Sequence, residues 1–259
     1  MPDPDAPAVA ACQFEPTVGD VNANVEQIDQ LLGSLSDSIE LAVFPELCVT
    51  GYDVDVAEVH AAKIPGRLTD RLIEVADFHG TTLVVGLPER DGNALYNDLV
   101  CVTGDGVAAT YRKQYLWGDE ADRFATGSGP VTVETTVGTV GFVLCYDLNF
   151  PEVTLAYGRA ECDLLAVSAA WRESYRSDWR LLCRARGFDG TCYVVGANHA
   201  GDQRGRVHAG GSLVVGPEGD ILVETGDGKT TVAESFDRGR IATARERNPV
   251  LETRRARET

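Results

Sequence analysis

Apolar residues fall in two alternating patterns along the chain: short continuous runs and longer stretches with helical spacing. Residues 8–14 (AVAACQF) read as a buried first strand. In residues 22–35 the apolar positions are Val25, Ile28, Leu31, Leu32 and Leu35. Spacings of three and four place them on one helical face, with Asn22 or Asn24 as the cap. Residues 41–44 read as a short buried strand entering Pro45-Glu46, residues 68–79 as a second amphipathic helix, and residues 82–86 (TLVVG) as another strand. Residues 97–112 read as a hairpin turning at Thr103-Gly104-Asp105-Gly106.

The second half repeats the alternation. Strands are expected at 131–133, 139–144, 164–168 and 192–197, and a hairpin at 211–223 around Pro217-Glu218-Gly219-Asp220. Helices are expected at 152–158, where Pro151 suits the first helical position, and at 177–187. Alternating strands and helices give an α/β class. No Pro-, Gly- or Ser-rich linker divides the chain. One domain over residues 1–259 is therefore expected, with its core at about 8–225. The polar, Arg-rich stretch after Gly226 is expected either to wrap a partner subunit or to lie loose.

Composition narrows the function. The chain has 259 residues, 44% of them hydrophobic, enough for a substantial core. It has no apolar run of membrane-spanning length. The N-terminal MPDPDAPAVAA lacks the basic and apolar regions of a secretory leader, so a cytoplasmic enzyme is expected. Forty acidic residues face 23 basic ones, a formal net charge of −17. Such a surface repels nucleic acid. Only Lys63, Lys113 and Lys229 are lysines; the other twenty basic residues are arginines. Acidic enrichment with lysine depletion fits a salt-loving source, where screening relieves self-repulsion. Seven cysteines, at 12, 48, 101, 145, 162, 183 and 192, form no C-x-x-C pair. Neither a zinc ribbon nor a dithiol redox motif is indicated, and most are expected to pack as small buried residues.

Three expected strand ends carry ionisable groups. Glu46 follows the strand at 41–44 in VFPELCVTGY. Lys113 closes the hairpin in YRKQYLWGDEADRF, with Glu120 seven residues on. Cys145 ends the apolar run of GFVLCYDLNFPE. In α/β sheets, functional groups gather beyond the carboxyl ends of strands. The three types are complementary: a thiol is mostly protonated at neutral pH, a carboxylate can take its proton, and an ammonium can steady an oxyanion. The Tyr146 N–H, next after the thiol, offers a second oxyanion donor.

FPELCVTGY, YRKQYLW and CYDLNFPE, in this order, resemble the signature blocks of the nitrilase superfamily of carbon–nitrogen hydrolases. The resemblance continues through AVSAAWRESYRSDWRLLCRARGFDGTCYVVGANHAG and GGSLVVGPEGDIL. It implies a four-layer α-β-β-α sandwich, usually paired into dimers. It places the family triad on Glu46, Lys113 and Cys145 and the second glutamate on Glu120. The implied activity is hydrolysis of a small linear amide, omega-amidase-like or on an N-carbamoyl amine, through a thioester, with no metal or organic cofactor. Nitrile hydrolysis and a catalytically silent binding protein are the alternatives. Many relatives carry Arg where this chain has Asn149 and His199, and Pro where it has Arg172. These departures bear on substrate: Arg172 could hold an acid group, and Tyr52 and Trp171 could line the pocket.

Overall fold

Two mixed six-stranded sheets stack face to face, with helices on their outer sides. The computed structural model describes residues 7–258; residues 1–6, part of the N-terminal stretch read for a leader, lie outside them. The first half runs β1 (Ala8–Gln13), α1 (Val21–Leu32), β2 (Ile39–Val43), α2 (Val54–His60), α3 (Arg67–His79), β3 (Thr82–Asp91), β4 (Ala94–Thr103) and β5 (Gly106–Arg112). The middle runs β6 (Thr132–Thr135), β7 (Gly138–Leu144), α4 (Pro151–Arg159), β8 (Leu164–Ala169), α5 (Arg176–Gly190) and β9 (Tyr193–Asn198). The chain then forms β10 (Asp202–Gln203), β11 (Arg206–Val207), β12 (Leu213–Val215), β13 (Ile221–Glu224), β14 (Thr230–Ser235), α6 (Arg238–Arg247) and α7 (Val250–Glu258).

The sheet orders are β14-β1-β2-β3-β4-β5 and β13-β12-β9-β8-β7-β6. Each has a parallel centre, β1-β2-β3 in one and β7-β8-β9 in the other, flanked by antiparallel strands. Between the sheets, Val9, Leu41, Val43, Val84 and Leu99 meet Phe142, Ala166 and Val195 in one apolar cluster. Outside the first sheet, Val25, Ile28 and Leu31 of α1 and Leu68 and Leu72 of α3 pack on Ala42, Val85 and Val100. Outside the second, Val153 and Tyr157 of α4 and Trp179 and Cys183 of α5 join the central cluster. This is the four-layer α-β-β-α sandwich.

Local chemistry sets the element boundaries. The helix expected at 22–35 begins at Val21 and is capped by Asp20, whose carboxylate accepts from the Ala23 N–H at 3.0 Å. Asn24 is instead buried and donates to the carbonyls of Thr17 and Val49, at 2.9 and 3.0 Å. The hairpin turn at 103–106 sits where expected, but β3 continues to Asp91 and turns into β4, giving a three-stranded meander.

The stretch after Gly226 does not lie loose. β14 adds to the edge of the first sheet, antiparallel to β1. Gln13 donates to the carbonyls of Gly226 and Gly228 at 2.9 and 2.8 Å. Ile241 of α6 and Leu251 of α7 are buried, and Arg245 donates to the carbonyls of Glu161 and Cys162. Few apolar residues anchor these helices, so their periodicity is faint. No helix among the described residues is long and apolar enough to cross a membrane.

Candidate active site

The carboxyl ends of β2, β5 and β7 converge between the sheets. Beyond β2 the chain turns through Pro45, Glu46 and Leu47, and Leu47 adopts a left-handed φ of 48°. The turn is tied to the second sheet: Ser168 Oγ donates to the Phe44 carbonyl at 2.8 Å, and the Glu46 N–H reaches the Ala169 carbonyl at 3.4 Å. β3 lies so close beneath it that a Cβ on Gly86 would come within 2.5 Å of the Pro45 oxygen and the Leu47 nitrogen. Glycine is required there by close approach.

Lys113 follows β5 and is wholly buried, as are Glu46 and, within 1%, Glu120. Its ammonium donates to Glu46 Oε1 at 2.6 Å and to Glu120 Oε2 at 2.7 Å and Oε1 at 3.0 Å. Glu120, in a short helical turn after Trp117, also accepts from the Trp117 N–H at 2.8 Å and from Tyr52 Oη at 3.1 Å. Asn97 of β4 donates through Nδ2 to Glu46 Oε1 and to Glu120 Oε1, both at 2.9 Å. Sequence reading did not mark Asn97. The available signal was a polar Asn-Asp pair inside an otherwise apolar strand, YNDLVCV.

Cys145 directly follows β7 with φ 50°. A non-glycine residue in this region is strained by about 1–3 kcal/mol and persists only where its surroundings fix it. Here they do. Asp147 is buried and accepts from Tyr111 Oη and from the Tyr115 N–H, both at 2.7 Å, pinning the thiol's turn to the segment that carries Lys113. Arg186 of α5 donates twice to the Leu148 carbonyl, at 3.2 and 3.1 Å. The thiol lies near the Glu46 carboxylate, whose Oε2 is buried without a hydrogen-bond partner.

Protonation follows from burial and neighbours. Desolvation raises the Cys145 thiol well above its ordinary value, and the Glu46 charge adds to this while Lys113 opposes it. Desolvation also raises Glu46, against the pull of Lys113. Burial disfavours the Lys113 ammonium, but the Glu120 and Glu46 carboxylates outweigh it and hold the lysine well above its usual value. The resting site is thus a neutral thiol beside a carboxylate of raised basicity and a permanent ammonium.

Cys145 is 9% exposed and opens onto a cavity of about 150 Å³. Tyr52, Tyr146, Asn149, Trp171 and Arg172, the expected pocket residues, all line it. Trp117, Tyr175, Asp178 and Arg206, which sequence reading did not single out, line it too. The Arg206 guanidinium lies over the Tyr52 ring, 4.7 Å from its centre. His199 is buried behind the turn, with Nε2 2.5 Å from the Glu46 carbonyl oxygen, and burial lowers it to about 4. The other six cysteines are buried and unpaired. Among the described residues, no group of His, Cys, Asp or Glu converges as a metal site would.

The sequence profile of the carbon–nitrogen hydrolases matches residues 8–246. This chain belongs to the carbon–nitrogen hydrolase family. A probable nitrilase of Schizosaccharomyces pombe is 30% identical over 223 residues, covering 83% of this chain and 82% of the relative. Omega-amidase NIT2 of Xenopus tropicalis is 31% identical over 229 residues, covering 83% of each. Among solved structures, Saccharomyces cerevisiae Nit3, a member of branch 10 of the nitrilase superfamily, matches with a TM-score of 0.89 at 26% identity over 96% of both chains. The protein is therefore an enzyme, a carbon–nitrogen hydrolase with amidases among its relatives.

Proposed function

We propose that this hydrolase cleaves a small linear amide through a thioester on Cys145, with Glu46, Lys113 and Glu120 as the other catalytic groups. The observation that carries the reading is the buried ammonium shared by two carboxylates, only one of which keeps an oxygen free toward a neutral thiol. Glu46 takes the Cys145 proton as sulfur attacks the amide carbon. The carbonyl electron pair moves onto oxygen, held by the Lys113 ammonium and by the Tyr146 N–H. Glu46 then gives its proton to the nitrogen, the C–N bond breaks, and ammonia leaves. Water attacks the thioester while Glu46 takes one of its protons. The acid departs and the thiol recovers its proton. Glu120, saturated with donors, keeps Lys113 charged and in place.

The substrate reading is omega-amidase-like: a short amide with a carboxylate at its far end. Arg172 and Arg206 line the cavity and, among the described residues, neither is held in an ion pair. In a chain with 40 acidic residues, two free guanidinium forks beside the thiol suit a carboxylate. They stand in for the arginine that many relatives carry at the position of Asn149. The test is ammonia release from succinamate against butyramide. Faster turnover of succinamate, lost in R172Q/R206Q while butyramide turnover persists, supports the reading. Equal turnover of the two amides removes the acid subsite, and ammonia release that survives Cys145→Ala removes the nucleophile.

A further inference from the structure

Glu46 and Glu120 share Lys113, yet their oxygens are not equivalent. Glu120 Oε1 accepts from Tyr52, Asn97 and Lys113, and its Oε2 accepts from Trp117 and Lys113. Glu46 Oε1 accepts from Lys113 and Asn97. Glu46 Oε2 alone receives no nitrogen or hydroxyl donor. Asn97 reaches both carboxylates, and both its N–H groups are spent on them. Its own Oδ1 is buried without a partner. The amide cannot turn over, because Oδ1 would then face two carboxylate oxygens. The carboxylates fix its orientation, and it in turn occupies one oxygen of each.

We propose that Asn97 is a positioning residue that assigns the travelling proton to Oε2 of Glu46. A proton on Oε1 would have to displace Asn97 or Lys113; a proton on Oε2 displaces nothing. The same donors leave Glu120 no vacant oxygen, so two carboxylates around one lysine take different roles. The inference rests on reading Cys145 as the nucleophile and Glu46 as its base. The charged and titratable groups facing Glu46 are Lys113, Glu120, Tyr52 and Cys145, with His199 on its main-chain carbonyl. Asn97 carries no titratable group, so replacing it removes a donor without changing the charge of the site.

The test is the rate of Cys145 alkylation by iodoacetamide across pH, read by intact mass, together with kcat and KM for succinamate. The proteins are the wild type, Asn97→Leu and Asn97→Ser, each with its melting temperature. Losing a donor raises the base, so the acid limb of the alkylation profile moves to higher pH, by about one unit in Asn97→Leu. kcat falls by roughly 100-fold while KM changes by less than about threefold. Asn97→Ser, which keeps one donor and perturbs packing less, lies between; it decides the matter alone if the leucine variant does not fold. An unmoved acid limb, with activity falling only as far as the folded fraction does, overturns the proposal. A wild-type Cys145 that iodoacetamide does not modify overturns the nucleophile reading, and this proposal with it.

Discussion

Strands β4 and β5 carry two charged clusters back to back, and the contrast between them shows what makes a buried carboxyl useful. Successive residues on a strand face opposite sides of the sheet. Asn97 and Lys113 point between the sheets, where Lys113 ties Glu46 to Glu120. Asp98 and Arg112, their neighbours, point outward, where Arg112 pairs with Glu89 at 2.6 Å and Asp91 at 2.8 Å and stacks 3.8 Å from the centre of the Tyr96 ring. Asp98 is wholly buried and neither of its oxygens has a hydrogen-bond donor. Burial and the neighbouring Glu89 carboxylate raise it well above the ordinary carboxylate range, and Arg112 only partly offsets them. The outer cluster keeps its carboxyl inert by protonating it. The inner cluster supplies donors to three of its four carboxylate oxygens beside a thiol and withholds them from Glu46 Oε2.

Replacing Lys113 sharpens this comparison most. Lys113→Met leaves two buried carboxylates without their cation; breaking such a pair costs about 3–5 kcal/mol. Calorimetry should show a large fall in melting temperature, and ammonia release should disappear. Cys145→Ala should abolish turnover while leaving the melting temperature within a few degrees, because it removes one small buried atom and relieves a left-handed residue only slightly. Gly86→Ala acts from beneath. Its Cβ would lie 2.7 Å from the Glu46 Cα, and overpacking of this kind costs about 1–3 kcal/mol. By displacing the base it should lower kcat by about 10–100-fold, with KM little changed; full activity would show that the turn tolerates movement.

Asp98→Asn probes the outer cluster and should have the smallest effect. The folded-state pKa of Asp98 is raised, so its contribution is favourable below the unfolded value and is lost as pH rises through the folded one. The asparagine variant should match the wild type near pH 4 and exceed it in unfolding free energy from neutral to alkaline pH, by about 1 kcal/mol, seen as a higher melting temperature. Activity should be unchanged. A variant less stable than the wild type at pH 8 would mean that the Asp98 charge is tolerated.

Much of this was legible in the chain. Apolar runs gave the central strands, since burial on both faces leaves continuous Val, Leu and Ala, and the helices with strong stripes followed. The three strand ends pointed to Glu46, Lys113 and Cys145 because chemistry needs a thiol, a base and a cation together. Asn97 escaped because its role depends on which face of β4 it takes and on what crosses from other strands. Arg206 escaped because the β10–β11 hairpin that carries it is only two residues wide on each side. α6 and α7 escaped because a helix that buries few apolar residues shows little periodicity.

The account depends on a buried neutral thiol that reacts by handing its proton to Glu46. The most direct measurement is the rate at which an acyl adduct forms on Cys145 after mixing with succinamate, followed by intact mass in the wild type and in Glu46→Gln. The account predicts rapid acylation of the wild type and a loss of at least about 100-fold in the variant at every pH. Acylation at the wild-type rate in Glu46→Gln would contradict it.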